Sequence, residues 1–280
     1  MILIADSGST KTNWFLLAKR KSQEKTCQTA GINPYYQSSA DILTTLNNEF
    51  TIPREGIKKI FFYGAGCANP EKNAVLERAL KDYFNAEAVE VASDLLAAAR
   101  ALCGHGEGIA AILGTGSNSC YFDGSVIRQH VSPLGFILGD EGSGAVLGRK
   151  LVADLLKNQM PDYLQARFLE MFGQTSIEIM EKVYRKPFPN RYLASFTPFL
   201  SRYIKEEPVY ELVKKSFIEF FQRNIKQYPR ADRLPVHFTG SIAWHFDHVL
   251  KQAARECGFS TGKIVQDPMP DLVDFHRYYK

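Results

Sequence analysis

Two short turns rich in glycine and hydroxyl residues could hold an anion such as phosphate. The first, Asp6–Thr12, reads Asp-Ser-Gly-Ser-Thr-Lys-Thr, and the second, Leu113–Asn118, reads Leu-Gly-Thr-Gly-Ser-Asn. Glycine allows positive φ and close approach of the backbone, so successive N–H groups can point at one anion. Either turn alone is typical of a hairpin connection. As a pair they predict a nucleotide-phosphate clamp formed by Ser9, Thr10, Lys11, Gly114, Thr115 and Gly116.

Three aspartates lie at turns where a carboxylate can meet a ligand. Asp6 ends the first apolar run, where it could bind Mg²⁺ through water, because Mg²⁺ keeps much of its hydration shell. Asp94 follows the strand Val89–Ala92, and Asp140 lies in the glycine-rich stretch Gly139–Gly144. Asp94 begins a predicted helix and Asp140 lies just before another, so helix capping is the alternative for each. A carboxylate at Asp140 could instead accept hydrogen bonds from sugar hydroxyls.

A third turn, Thr239-Gly240-Ser241, separates a strand from a helix. Glycine there lets the backbone pass close to a planar ring or a ribose, and an ordinary strand-to-helix connection is the alternative. No P-loop pattern or HExxH occurs in the chain, and no GxSxG elbow surrounds Ser117. The sequence therefore argues against a P-loop nucleotidase, a zinc hydrolase and a serine hydrolase.

The elements that carry these turns form a weak internal repeat. A strand, a Gly/Ser/Thr hairpin and a second strand occur at Met1–Ala18 and again at Gly108–Phe122. Alternating helices and strands follow each copy, which predicts an α/β protein with two related lobes facing each other. Ligands in such folds bind at the carboxyl ends of strands and between lobes. Further helices are predicted at Ser38–Phe50, Pro70–Phe84, Asp94–Leu102, Ser143 to about Lys157, Ile242–Cys257 and from Asp271, and further strands at Lys58–Tyr63, Ala88–Ala92, Leu234–Phe238 and near Lys263–Gln266.

Composition limits the class of protein. The chain has 280 residues, of which 45% are hydrophobic and 23% charged, which suits a globular protein with two lobes. A net charge of +4 is too weak to indicate a nucleic-acid partner. The five scattered cysteines show no disulfide or metal spacing, and neither a signal peptide nor a membrane span is expected. These features predict a reduced, cytoplasmic protein.

At these residues the sequence resembles the N-acetylglucosamine kinase branch of the actin-like ATPase and sugar kinase superfamily. That branch also contains the ATPase activators of benzoyl-CoA reductase and hydroxyacyl-CoA dehydratases. The pieces that carry the resemblance span the chain: Asp6–Thr12, Gly64–Cys67, Ser93-Asp94, Gly114–Asn118, Gly139–Gly144, Thr239–Ala243 and Pro268–His276. It implies two ribonuclease-H-like lobes with an interdomain cleft. Their expected bounds are 1–105, joined by a C-terminal helix 268–280, and 106–267 with a helical insertion.

The resemblance implies roles for residues around a nucleotide. Thr10 and Thr115 would contact the phosphates of ATP. Gly240 and Ser241 would lie at the adenosine end. Asp94 would be the catalytic base, acting with a pKa near the ordinary value of about 3.9.

The resemblance also implies a sugar site. Asn33 and the nearby Tyr35 match sugar-contacting positions, and Asp140 matches a second sugar-binding carboxylate beside Asp94. The stretch Pro133-Leu134-Gly135 corresponds to a substrate-binding segment, with Gly135 as the substrate-binding residue. Better-known relatives carry tryptophan where Leu134 stands here, which leaves recognition of the N-acyl group open.

The expected activity is ATP- and Mg²⁺-dependent phosphorylation of an amino-sugar, with N-acetylglucosamine and its 6-hydroxyl preferred. The alternatives are a kinase for glucosamine or another hexose, an ATPase that regulates a partner enzyme, and a sugar sensor without catalysis. A regulator of the activator type would need a cysteine-ligated cluster, which the cysteine spacing does not favour. The expected partner is a small sugar, with no nucleic acid or membrane, and a homodimer is left open.

Overall fold

The structure is a computed structural model that describes residues 1–8, 11–67 and 69–278. The chain divides into two compact units, which we call the first unit (Met1–Gly104 with Pro268–Lys280) and the second unit (His105–Asp267). Each unit contains one five-stranded sheet covered by helices.

In the first unit, β-strands alternate with helices after an initial hairpin. The elements are β1 (Ile2–Ser7), β2 (Lys11–Leu17), β3 (Lys25–Ala30), α1 (Ser39–Glu49), β4 (Lys59–Gly64), α2 (Pro70–Phe84), β5 (Ala88–Ser93) and α3 (Asp94–Cys103). The second unit contains β6 (Gly108–Leu113), β7 (Ser117–Phe122), β8 (Ile127–His130), α4 (Gly135–Leu138), α5 (Gly144–Leu156), α6 (Asp162–Phe172), α7 (Ser176–Arg185), α8 (Pro189–Ala194), α9 (Thr197–Arg202), α10 (Glu207–Arg223), β9 (Val236–Thr239), α11 (Ser241–His245), α12 (Asp247–Glu256) and β10 (Thr261–Val265). The last helix, α13 (Met269–Arg277), belongs to the first unit.

The two sheets have the same topology. Their strand orders are β3-β2-β1-β4-β5 and β8-β7-β6-β9-β10. In each sheet the first three strands of the unit form an antiparallel meander, and the other two extend the sheet in parallel from its first strand. This identity of order and direction is the structural basis of the repeat seen in the sequence, and it confirms the predicted α/β class.

The sheet of the first unit is covered on both faces, because alternate residues of a strand point to opposite sides. On β1, Leu3 belongs to the core formed with α1 and α2, whereas Ile4 belongs to a second core. That second core includes Leu272 and Val273 of α13. The final helix of the chain therefore completes the first unit.

The second unit has one large core, built from both sheet and helical residues. Strand residues such as Ala111 and Phe238 join Leu147 of α5 and Phe217 of α10 in that core. Several aromatic side chains of the helical block from α6 to α10, among them Phe168, Phe199 and Phe220, also lie in it. None of the helices in the described ranges is both long and apolar enough to cross a membrane.

Three features differ from the sequence-based expectations. Strands β3 and β8 were not predicted. The helix expected over Ile242–Cys257 is broken at Phe246, whose φ of −112° and ψ of 26° separate α11 from α12. The residue before α3 is its cap, because the Ser93 hydroxyl accepts a hydrogen bond from the backbone N–H of Leu96.

Candidate functional site

The turn between β6 and β7 is tied to the first turn of α5. The carbonyl of Gly114 accepts a hydrogen bond from the N–H of Gly144 (2.8 Å), and the carbonyl of Thr115 accepts one from the N–H of Ala145 (3.0 Å). Within the turn, the N–H of Gly114 donates to the carbonyl of Gly116 (2.9 Å). A methyl group added at Gly114 would meet no atom of the described residues within 4 Å. The turn is thus rigidly held beside open space, with Thr115 exposed.

Gly240 lies directly against this turn. Its φ is +112°, and a methyl group added there would lie 2.4 Å from the carbonyl oxygen of Leu113 and 3.4 Å from the nitrogen of Gly114. Only glycine fits such a close backbone approach at positive φ. The exposed Ser241 follows as the first residue of α11. The structure therefore brings together the predicted residues Gly114, Gly240 and Ser241 at the carboxyl ends of β6 and β9.

Asp140 borders the same turn. Its Oδ1 accepts a hydrogen bond from the N–H of Ser117 (3.3 Å), and its Oδ2 would lie 3.1 Å from a methyl group added at Gly116. Its own N–H donates to the carbonyl of Pro133 (2.8 Å), which closes the loop that contains the exposed Gly135. Asp140 has a φ of +53°, an uncommon backbone conformation for a residue other than glycine.

Burial and charge both act on Asp140. Desolvation raises the pKa of its carboxyl to about 6, the Ser117 N–H acts in the opposite direction, and the charge of Glu141 raises the pKa further. The residue that caps α5 is Ser143, whose hydroxyl accepts a hydrogen bond from the N–H of Val146. The capping alternative for Asp140 is therefore wrong.

In the first unit, Asp6 lies at the end of β1, opposite Asn13 on β2 and Tyr63 on β4. Lys11 is exposed at the start of β2, and its carbonyl accepts a hydrogen bond from the N–H of Gly8 (2.9 Å). The predicted residues Ser9 and Thr10 lie outside the described residues.

Asn33 is held against the turn that follows β4. A methyl group added at Gly66 would lie 2.9 Å from Oδ1 and 3.0 Å from Nδ2 of Asn33. The Oδ1 atom also accepts a hydrogen bond from the N–H of Tyr35 (2.9 Å), whose side chain is about half exposed. These contacts fix the Asn33 side chain beside the carboxyl end of β4.

Asp94 is the first residue of α3, and because Ser93 is the cap, the capping alternative for Asp94 is also wrong. Desolvation raises the pKa of Asp94, opposed by the N–H groups of Leu95 and of Asp94 itself. The expected ordinary pKa is therefore wrong as well. Burial and the charge of Asp94 together raise the pKa of the Cys67 thiol to about 12. Since Cys67 follows Gly66, Asn33 and Asp94 both border the Gly64–Cys67 turn.

The segment before Asn33 is positioned by two hydroxyl groups that the sequence pattern did not indicate. The Oγ of Ser7 and the Oγ1 of Thr12 are 2.7 Å apart, and both lie within hydrogen-bond distance of the N–H of Ile32, at 3.0 and 3.2 Å. Both residues are buried. The signal that could have identified Ser7 and Thr12 is a hydroxyl residue at a buried position on each strand of the first hairpin.

No part of the described chain groups three histidine, cysteine or acidic residues as a metal site would require. Asp6 is one carboxylate, which is compatible with a Mg²⁺ ion held mainly by water and by phosphate oxygens. The two units thus each present polar residues at the carboxyl ends of their parallel strands, where ligands of open α/β sheets bind.

Comparison with known proteins places these features in a family. No family model matches the chain, and no curated protein matches it either. Among solved structures, the protein named "Putative N-acetylglucosamine Kinase" from Porphyromonas gingivalis is 49% identical, covers 99% of this chain and 98% of that chain, and superposes with a TM-score of 0.93.

More distant structures share the fold. A protein with the same name from Chromobacterium violaceum is 19% identical, covers 98% of both chains and has a TM-score of 0.74. The ROK family glucokinase from Streptomyces griseus, solved with glucose and AMPPNP, is 14% identical, covers 98% of this chain and 97% of that chain, and has a TM-score of 0.60. The repeated topology and the identity of almost half the residues with the Porphyromonas gingivalis protein lead to one conclusion: the chain belongs to the N-acetylglucosamine kinase family of sugar kinases.

Proposed function

We propose that this chain transfers the γ-phosphate of ATP to a hydroxyl of an amino-sugar, with N-acetylglucosamine as the substrate and its 6-hydroxyl as the acceptor. The observation that carries the proposal is the 49% identity to the Porphyromonas gingivalis protein, whose name gives that substrate and of whose length 98% is covered. The polar residues at the carboxyl ends of the strands in both sheets support the reaction class, because a protein catalyses phosphoryl transfer mainly by aligning the reactants and stabilising charge.

In this proposal, ATP is bound by the turns and by the Gly240 region. Thr115 and Gly116 supply donors to the phosphates, since the open space beside Gly114 fits an anion at the turn. Gly240 and Ser241 accommodate the adenosine end. Ser9, Thr10 and Lys11 of the first hairpin complete the phosphate contacts.

Mg²⁺ would neutralise charge on the phosphates when bound, and Asp6 would hold its hydration shell. Asn33 and Tyr35 would contact the sugar from the Gly64–Cys67 side. Asp140 would accept hydrogen bonds from sugar hydroxyls, with Gly135 in the adjoining loop. An ionised carboxylate suits this task, because hydrogen bonds to charged acceptors are stronger than those between neutral groups.

Asp94 would accept the proton of the attacking hydroxyl. A base whose pKa is raised by burial takes up a proton more readily than an exposed aspartate, which favours this role. The hydroxyl becomes acidic as its oxygen forms the bond to phosphorus. The pKa of the carboxylate therefore need not lie near neutral pH.

The test is release of ADP from ATP and Mg²⁺ in the presence of a panel of hexoses and hexosamines. We expect ADP to form only with sugar, and most efficiently with N-acetylglucosamine, with phosphorus NMR of the product showing a 6-phosphate. ATP hydrolysis at the same rate with and without sugar would instead favour an ATPase that regulates a partner enzyme. Sugar binding without ADP would favour a sensor.

The panel also examines Leu134, which stands where better-known relatives carry tryptophan. Its side chain is 59% exposed on the loop that Asp140 closes. If glucosamine or glucose is used as efficiently as N-acetylglucosamine, the substrate part of the proposal is wrong while the kinase part stands. A homodimer and a cytoplasmic location stay predictions.

A further inference from the structure

Glu141, the neighbour of Asp140, is a buried carboxylate with two partners on another element. Its Oε1 lies 2.9 Å from Nε of Arg223, and its Oε2 accepts a hydrogen bond from Nδ2 of Asn224 (3.1 Å). Only 7% of Glu141 is exposed. A carboxylate this buried requires such partners, because an unpaired buried charge is costly.

These contacts connect the Asp140 segment to the end of α10. Arg223 is the last residue of α10, and Asn224 follows it. One residue beyond Glu141, the N–H of Gly142 donates to the hydroxyl of Ser216 in the same helix (3.3 Å). Asp140 itself is held on its other side by the Ser117 N–H. The helix end therefore fixes the chain immediately after Asp140.

The same pair determines the local charge. The negative charge of Glu141 raises the pKa of Asp140, and Arg223 is the cation in contact with Glu141. Two cations of α5 are engaged elsewhere: Lys150 pairs with Glu219 of α10 (2.7 Å), and Arg149 donates to the carbonyl of Phe136 (2.8 Å). Removing Arg223 would leave two adjacent carboxylates with less compensation.

We propose that Glu141 and Arg223 are a positioning pair, which holds Asp140 in place and controls the charge that it presents to the substrate. The inference rests on the proposed function for the sugar-binding role of Asp140. Neither residue needs to touch the sugar. Sugar affinity should therefore depend on a salt bridge whose cation is more than 80 positions away in sequence from Asp140.

The test compares the pH dependence of KM for the sugar in Arg223→Gln, Glu141→Gln and the double variant. In Arg223→Gln the uncompensated Glu141 charge should move the midpoint to higher pH, raising KM by about three- to tenfold at pH 6, since one unit of pKa corresponds to a factor of ten. In Glu141→Gln the midpoint should move to lower pH, and in the double variant it should return towards that of the wild type. The value of kcat at saturating sugar should stay within about twofold, because chemistry at Asp94 is untouched.

A second readout requires neither sugar nor ATP. Carbon-detected NMR titration of the side-chain carboxyls, with Asp140→Asn to assign the signal, should show the same opposite shifts of the Asp140 pKa. If the shifts appear but no sugar is phosphorylated, the proposed function fails and the electrostatic pair stands.

The control is Lys214→Gln, which removes a cation from α10 that pairs with Glu211 and Glu256 rather than with Glu141. It should leave both the KM profile and the Asp140 titration unchanged. Arg223→Lys keeps the positive charge and should retain most of the wild-type profile. If Arg223→Gln does not fold, the shift to lower pH in Glu141→Gln and the unchanged profile of Arg223→Lys carry the test. Shifts of the same sign in the Arg223 and Glu141 variants, or equal losses in all variants, would overturn the proposal.

Discussion

Desolvation works against the ionised form of Asp94 and raises the pKa of its carboxyl. The neighbouring N–H groups partly compensate, and the pKa stays above the ordinary aspartate value. For a general base this shift has two effects. The carboxylate accepts a proton more readily, and a smaller fraction of it is ionised as the pH falls.

Asp94→Asn should keep ATP binding and reduce kcat by about 10²–10⁴-fold, the usual contribution of a positioned acid or base. The amide has nearly the same shape but cannot take the proton. Asp82→Asn, at an exposed position on α2, is the matched control and should retain full activity. A rate close to that of the wild type in Asp94→Asn would remove Asp94 from the mechanism.

Asp140→Asn should stabilise the protein above about pH 6 while weakening sugar binding. The folded-state pKa of about 6 exceeds the ordinary 3.8, so folding favours the neutral form and stability declines as the pH rises through 6. The melting temperature of Asp140→Asn should therefore equal that of the wild type near pH 4 and exceed it by a few degrees near pH 7.

Asp123→Asn provides a comparison of opposite sign. Hydrogen bonds from the N–H groups of Val126 and Ser125, together with Arg128, lower the pKa of Asp123 to about 2. Its ionised form is favoured in the folded state, so the variant should be less stable than the wild type at pH 7 and equal to it near pH 2. Equal melting temperatures of Asp140→Asn and the wild type at all pH values would show that Asp140 is not destabilised by its surroundings.

At this scale the sequence predicted which residue types stand at the strand ends but not their environments. Asp94 begins α3, and Asp140 lies in the turn before α5, as their positions in the sequence indicate. The serine caps and the raised pKa values were not predicted, because they depend on neighbours brought near by folding, such as Ser117 beside Asp140. The pair of Glu141 and Arg223 joins residues far apart in sequence and left no local pattern.

Among the elements, α13 has the clearest energetic role. Leu272 is fully buried on the sheet face formed by Ile4 and Tyr63, and the hydroxyl of Tyr63 lies 2.8 Å from Nε2 of His276. The helix therefore fills a face that β1 and β4 would otherwise expose to water.

Leu272→Ala should destabilise the first unit by about 2–5 kcal/mol, the cost of deleting buried methyl groups and leaving a cavity. The measurement is urea unfolding followed by fluorescence in a Trp244→Phe background, so that the buried Trp14 of the first unit reports alone. Tyr278→Ala, which is 75% exposed, should change stability by less than about 0.5 kcal/mol. A similar small change in Leu272→Ala would mean that α13 contributes little to this unit.

Elements with strong periodicity or clear boundaries were predicted well, and polar or short ones were not. The helix α2 begins at Pro70 and ends at Phe84, as the sequence indicates. The strands β3 and β8 read Lys-Thr-Cys-Gln-Thr-Ala and Ile-Arg-Gln-His, and both are largely exposed edge strands without a run of apolar residues. The break at Phe246 has no glycine or proline to mark it, and the ring is buried. Tertiary packing determined these features.

For the whole molecule, the contiguous second unit has a core that draws only on its own residues. A fragment of residues 105–267 should therefore fold alone and give a cooperative thermal transition by circular dichroism. A fragment of residues 1–104 lacks α13 and should not, until a peptide of residues 268–280 is added. A non-cooperative 105–267 fragment would contradict the independence of this unit.

The position of α13 after the second unit imposes an order on biosynthesis. Ile4 and Phe61 emerge early from the ribosome, but their packing partners Met269 and Leu272 are translated only after all of the second unit. At about 5–20 residues per second, the roughly 160 intervening residues delay closure by on the order of ten seconds or more. During that interval the nascent first unit carries an uncovered apolar sheet face, and we expect chaperones that recognise such surfaces to bind it.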